Sequence, residues 1–305
     1  MKHTVRTLFL TPFIALAMLL VAFSAPLTAG AATTGASQHT AHFASHAVGQ
    51  HAQVTQLARQ GNLIYHSPGP VQVGTANIFT IFWQPTNNVS SRYHSLLNQF
   101  YGDIGATGLY RNNTQYTQTG GAHPSSAKLA GTFVDTRAYP ESPLLDSDIQ
   151  SEVSHAQSVN GWTSAVGNLF VVFLERNQDL CFDSTHAQCA SNTFCAYHST
   201  FGTDTQYAAM PYAPSFSCRA TGQTEPNNDE TDLTINVASH EEIEAATDPL
   251  LNAWFDSSGN EIGDKCNFTF GTRNAGNGDL TINGHTYEVQ KEWDNAKRAC
   301  EMTGP

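Results

Sequence analysis

From residue 63 onward the chain alternates between apolar runs and polar breaks, and the period of each run predicts its element. NIFTIFWQP (77–85) sets β-branched and aromatic residues in alternation with polar ones, which predicts a strand. SRYHSLLNQFYGDI (91–104) has helical spacing behind a serine cap. AGTFVDT (130–136) predicts a second strand, and DSDIQSEVSHAQS (146–158) a capped helix. NLFVVFLE (168–175) is an unbroken apolar run, as expected of a central strand buried on both faces. The cysteine-rich stretch 181–218 reads as loop, with a short strand at 206–210. TEPNNDE (224–230) is a polar break, and 232–246 reads as one helix. LTINGHTYEVQKEW (280–293) reads as a hairpin turning at Asn283-Gly284. Strands and helices alternate and a hairpin closes the chain. The expected class is α/β or α+β, with a single domain built on one mixed sheet flanked by helices.

The first 31 residues change the picture. Lys2, His3 and Arg6 precede an apolar run, and Ala29-Gly30-Ala31 offers a small-x-small cleavage site, so 1–31 reads as a secretory signal. Residues 32–60 are rich in Ala, Thr, Ser, Gln and His and read as a flexible spacer or pro-segment. Residues 61–305 are expected to form one extracellular domain, with no membrane contact in the mature form. Losing Lys2 and Arg6 moves the formal charge from −12 to about −14. Such an acidic chain repels phosphates, and no basic stripe is present, so nucleic-acid binding is not expected. All six cysteines follow the signal, which implies three disulfides. Six cysteines allow fifteen pairings, between which sequence alone does not choose; closure of local loops favours Cys181–Cys189, Cys195–Cys218 and Cys266–Cys300.

The candidate chemistry lies in ASHEEIEAATDP (238–249). It matches the zinc-peptidase pattern H-E-x-x-H, except that Glu244 stands where the second histidine would be. A helix places His240 and Glu244 on one face, one turn apart, where both reach one divalent ion. Glu241 then has the place of the general base, which takes the proton of the attacking water. The bland reading is an acidic, solvated helix face. Against it stand the apolar Leu233, Ile235 and Val237 before the motif, and the helix stop at Asp248-Pro249. The third ligand is assigned by spacing to Asp264, twenty residues past Glu244, a distance similar to that in thermolysin-like enzymes. Asp248, His198 and Glu261 are the alternatives.

One histidine with two carboxylates holds Zn2+ but blunts its Lewis acidity, and it shifts preference towards harder ions. DSSGNEIGD (256–264) resembles a Ca2+ loop in its oxygen-bearing residues but lacks EF-hand spacing, so a surface turn is favoured over Ca2+. No other cofactor-binding motif is present: there is no nucleophile elbow, phosphate loop or dinucleotide fingerprint.

LIYHSPGPVQVGTANIFTIFWQP (63–85), FCAYHSTF (194–201), INVASHEEIEAATDP (235–249) and YEVQKEWDNAKRAC (287–300) together resemble the phosphate-induced, EXORDIUM-like family. The chain would be a secreted member of bacterial type. The resemblance spans roughly 63–300. It implies an extracellular, wall-associated protein with no established activity. The zincin comparison alone supplies roles, for His240, Glu241 and Glu244. Two expectations follow. One is a secreted zincin-like metallohydrolase, a peptidase acting on a peptide or cell-wall substrate. The other is a non-catalytic extracellular binding protein of the EXORDIUM-like type.

Overall fold

The computed structural model describes residues 42–45 and 61–305. The signal 1–31 and most of the spacer 32–60 lie outside the described residues. Six strands form one mixed sheet: β1 (His42–Ser45), β2 (Gly74–Trp83), β3 (Pro124–Asp135), β4 (Asn168–Phe173), β5 (Phe194–Phe201) and β6 (Thr205–Met210). Their spatial order is β1-β5-β6-β4-β2-β3. The pairs β6–β4, β4–β2 and β2–β3 are parallel, while β5 runs antiparallel to both β6 and β1. The fold is mixed α/β, and the described residues carry three disulfides with the expected pairing.

The continuous apolar run of β4 follows from its central place. Leu169, Val171 and Phe173 join one core, while Phe170 and Val172 join the core on the opposite face. The first core packs against α1 (Tyr93–Asp103) and α3 (Thr231–Thr247), the second against α2 (Asp146–Asn160). Helix α1 starts after Ser90, not at a Ser91 cap: Ser90 Oγ accepts the Arg92 N–H at 3.3 Å. At α2 the Leu145 N–H donates to the Asp148 carboxylate at 2.8 Å, and Gly161 closes the helix at φ 68°.

The structure corrects the loop reading of 181–218. β5 lies within it, while β6 is the strand expected at 206–210, beginning at Thr205 and lying in the interior of the sheet. Cys, His and Tyr interrupt the apolar pattern there because both faces of these strands meet other elements rather than solvent. The terminal hairpin is also shorter than the pattern suggests. It comprises β7 (Leu280–Ile282) and β8 (His285–Tyr287), turning at Asn283 (φ 53°) and Gly284 (φ 84°). Positive φ at both central residues is what a two-residue hairpin requires. Residues beyond it form a separate pair, β9 (Glu292–Asp294) with β10 (Ala299–Glu301). Asp103 at the end of α1 ties the hairpin down, accepting from Asn283, His285 and Tyr287.

Helix α2 carries a buried carboxyl with a testable pH signature. Burial, and then the charge of Asp135, raise the Glu152 pKa to about 8, although Arg137 opposes them. The folded state therefore keeps a proton that the unfolded chain releases near its ordinary value of 4.5. Stability from this group is full below that value and is lost as pH rises towards 8. Glu152→Gln should flatten the fall in urea midpoint between about pH 5 and pH 8, leaving the variant more stable than the parent at the alkaline end. An unchanged slope would remove Glu152 as its source.

Candidate functional site

Helix α3 crosses under β5 and β6, and every one of its residues is buried. The solvated acidic face is thereby excluded: Glu241, Glu242 and Glu244 are each 0% exposed. The helix stands between the sheet on one side and the 251–294 segment on the other, so its polar residues meet protein in both directions. His240 Nε2 lies 3.2 Å from Glu244 Oε1, as i, i+4 spacing requires. Asp264, in the turn Asp264–Cys266, donates its N–H to Glu244 Oε1 at 2.9 Å and places Oδ1 3.9 Å from His240 Nε2. Ligand atoms of His240, Glu244 and Asp264 all fall within 4.8 Å of one another.

A second group shares Glu244. On β5, Tyr197 points to the α2 side, where its hydroxyl reaches Asp146, so its neighbour His198 points to α3. His198 Nδ1 lies 3.3 Å from Glu241 Oε2 and 3.6 Å from Glu244 Oε2, with Nε2 3.5 Å from Glu261 Oε2. Ligand atoms of His198, Glu241 and Glu244 also fall within 4.8 Å of one another.

Asp248 is committed elsewhere. Its Oδ1 accepts the Asn252 and Ala253 N–H groups, both at 2.6 Å, and its charge helps to raise the neighbouring Glu261 carboxyl. The loop read as a Ca2+ candidate closes on itself: Asp256 accepts from Ser258 and Asn260 and pairs with Lys265 at 3.2 Å. Lys265 in turn lies 4.5 Å over the Trp293 ring. Glu261 and Asp264 are the loop's members that face the cluster.

The cluster is strongly electrostatic. Burial pushes the Glu241 and Glu261 carboxyls well above the usual range, and neighbouring carboxylates add to the shift. Burial alone would lower His240, but Glu244, Glu241 and Asp264 overcome it and raise the imidazole. Glu292 on β9 is also driven up, first by burial. Among the described residues, Glu241 Oε1, Glu244 Oε2 and both Glu292 oxygens, all buried, have no hydrogen-bond partner. Carboxylates enclosed in this way are stable only when neutralised by protons or by a cation.

Three supports were not visible in the sequence. Asn236, one turn before His240, accepts the Gln290 N–H at 2.8 Å. Gln290 Nε2 donates to the Gly263 carbonyl at 3.0 Å and so clamps the turn that presents Asp264. Glu292 joins the cluster from a strand with no motif around it. Nothing local marks these residues, because each acts across more than twenty positions of chain.

The Cys266–Cys300 disulfide anchors the same turn, two residues beyond Asp264. In the chain-entropy view a loop of this length contributes on the order of 3–4 kcal/mol. Cys300→Ser is expected to lower the melting temperature and, where the cluster holds an ion, to speed its loss in dialysis against a mild chelator. Equal loss from variant and parent would separate the disulfide from the site.

These features define a disulfide-bonded α/β protein with an enclosed histidine–carboxylate cluster of metal-ligating composition. No family model matches the chain. It is similar to Protein EXORDIUM-like 5 of Arabidopsis thaliana, 26% identical over 249 residues that cover 70% of this chain. The match covers 66% of that plant protein, just under two thirds of its length. This distant similarity supports the EXORDIUM-like relation. Among the described residues, no helix is long and apolar enough to cross a membrane.

Proposed function

We propose that this chain is an extracellular protein of EXORDIUM-like type built around a buried divalent-cation centre, in which Zn2+ is held by His240, Glu244 and Asp264. The observation that carries this reading is the convergence of these three donors within an enclosed, negatively charged cluster. The distant plant similarity and the three disulfides support the extracellular setting. In the closed form described, the centre joins α3 to the 261–266 turn and acts as a structural tie. Purified protein should contain close to one zinc per chain by elemental analysis. A metal-free protein of unchanged stability would overturn the reading.

A second reading, a metallohydrolase acting on peptides, is favoured by one contact. The backbone N–H of Ala44 in β1 lies near enough to the Glu241 carboxylate to oppose the upward shift of its pKa. A peptide backbone thus lies against the residue expected to move protons. A bound zinc would polarise a carbonyl. Glu241 would take a proton from water and return it to the departing amine, and His198 would hold Glu241 in place. Glu241→Gln separates the two readings. Loss of the biological effect with metal retained supports hydrolysis, whereas an unchanged effect supports a binding role.

A further inference from the structure

We infer that the outer edge of β5 is a binding edge for an extended peptide, and that residues His42–Ser45 of the chain's own N-terminal segment occupy it as a displaceable plug. The hydrolase reading gives this edge its purpose, but peptide binding there does not depend on hydrolysis.

Among the described residues, β1 is the end strand of the sheet, and it pairs with β5. The register sets His42 opposite His198, Phe43 opposite Tyr197 and Ala44 opposite Ala196, then slips before Ser45. Removal of β1 would free the β5 backbone groups that pair with it. Such an edge accepts another extended chain through main-chain hydrogen bonds, with little demand on side chains. The contact with the cluster has the same character: Ala44 meets Glu241 through its backbone N–H, which any residue except proline supplies. Ala44 itself is 2% exposed, so a small residue suits this position. A peptide in this place would cross directly over Glu241, beside the His240–Glu244–Asp264 group. β1 therefore helps to close the cluster.

Charge fits the same occupant. Residues 32–60 contain no Asp or Glu, and carry Arg59 with His39, His42, His46 and His51. The whole chain has a formal charge of −12. An extended peptide that is neutral to basic, with a small residue at the Ala44 position, matches the edge. As a tethered copy, β1 competes with a free peptide at an effective concentration that cutting the tether removes.

The test uses the full chain with a specific protease sequence placed at residues 54–58, compared before and after cleavage. A fluorescein-labelled peptide spanning residues 40–49 is titrated and followed by anisotropy, with and without a chelator. Cleaved protein should bind the peptide at least tenfold more tightly than intact protein, and a peptide carrying proline in place of Ala44 should not bind. Binding that persists in chelator, with no hydrolysis when zinc is present, would keep the edge site and remove the hydrolase reading. Equal affinity before and after cleavage, with the protein still folded by circular dichroism, would overturn the inference. So would a cleaved segment that stays bound through size-exclusion chromatography in excess peptide, because β1 would then be a permanent strand.

Discussion

His240→Ala is expected to reduce bound zinc from about one ion per chain to none, and to lower the melting temperature by on the order of 10 °C. The imidazole is the one nitrogen donor among the three proposed ligands, and the i, i+4 geometry with Glu244 cannot be replaced by a residue on another element. Without the ion, the carboxylates of Glu244 and Asp264 must be neutralised by protons. An ion bound at a thousandfold excess over its Kd stabilises the folded state by about 4 kcal/mol. For a domain of this size that corresponds to a shift of roughly 8–16 °C. Elemental analysis and calorimetry on the same samples check both halves. If His240→Ala retained one zinc per chain, the ion would belong to His198, Glu241 and Glu244 instead. Treating the parent protein with a strong chelator should reproduce the thermal shift, and zinc should restore it.

Gly263→Ala is the second change with a large expected effect, and it adds a single methyl group. A Cβ at this position would lie 2.8 Å from His240 Nδ1 and 3.0 Å from Glu244 Oε1. Both belong to side chains held in a buried site, so neither can swing away as a surface side chain would. The Gly263 carbonyl is fixed by Gln290, which stops the turn from backing off. The methyl should therefore displace the imidazole and weaken zinc binding at least tenfold, with an overpacking cost of about 1–3 kcal/mol. Gly167→Ala is the control, since a Cβ there meets nothing within 4 Å and its φ is not positive. Equal zinc affinity in Gly263→Ala and the parent would show that His240 does not serve as a ligand in the position described.

Sequence alone determined what depends on neighbours along the chain. The unbroken apolar run 168–175 gave a central strand because both of its faces are covered. His240 and Glu244 could be placed together because helix geometry fixes residues four apart. Asn283-Gly284 marked a turn because positive φ is cheap at those residues. The three disulfides close local loops, a preference the sequence offered among fifteen pairings and the tertiary structure decided. Tertiary structure decided what depends on distant partners. The short strand at 206–210 could be read, but the strand at 194–201 was hidden because its cysteine, histidine and tyrosine residues face other elements, so no alternation with solvent appears. The acidic run at 241–244 has the composition of a solvated face, and it is buried by distant neighbours: His198 of the sheet, Tyr110 and the 261–266 turn. His198, Glu261 and Asp264 come from 43 and 20 or so positions away along the chain. Which candidate stands near His240 is therefore set by the sheet order and by the turn clamped through Gln290. Asp248 is adjacent in sequence, yet its carboxylate is drawn to Asn252 and Ala253. The Ala44 contact with Glu241 joins residues from opposite ends of the fold, and no local pattern encodes a pairing of that span.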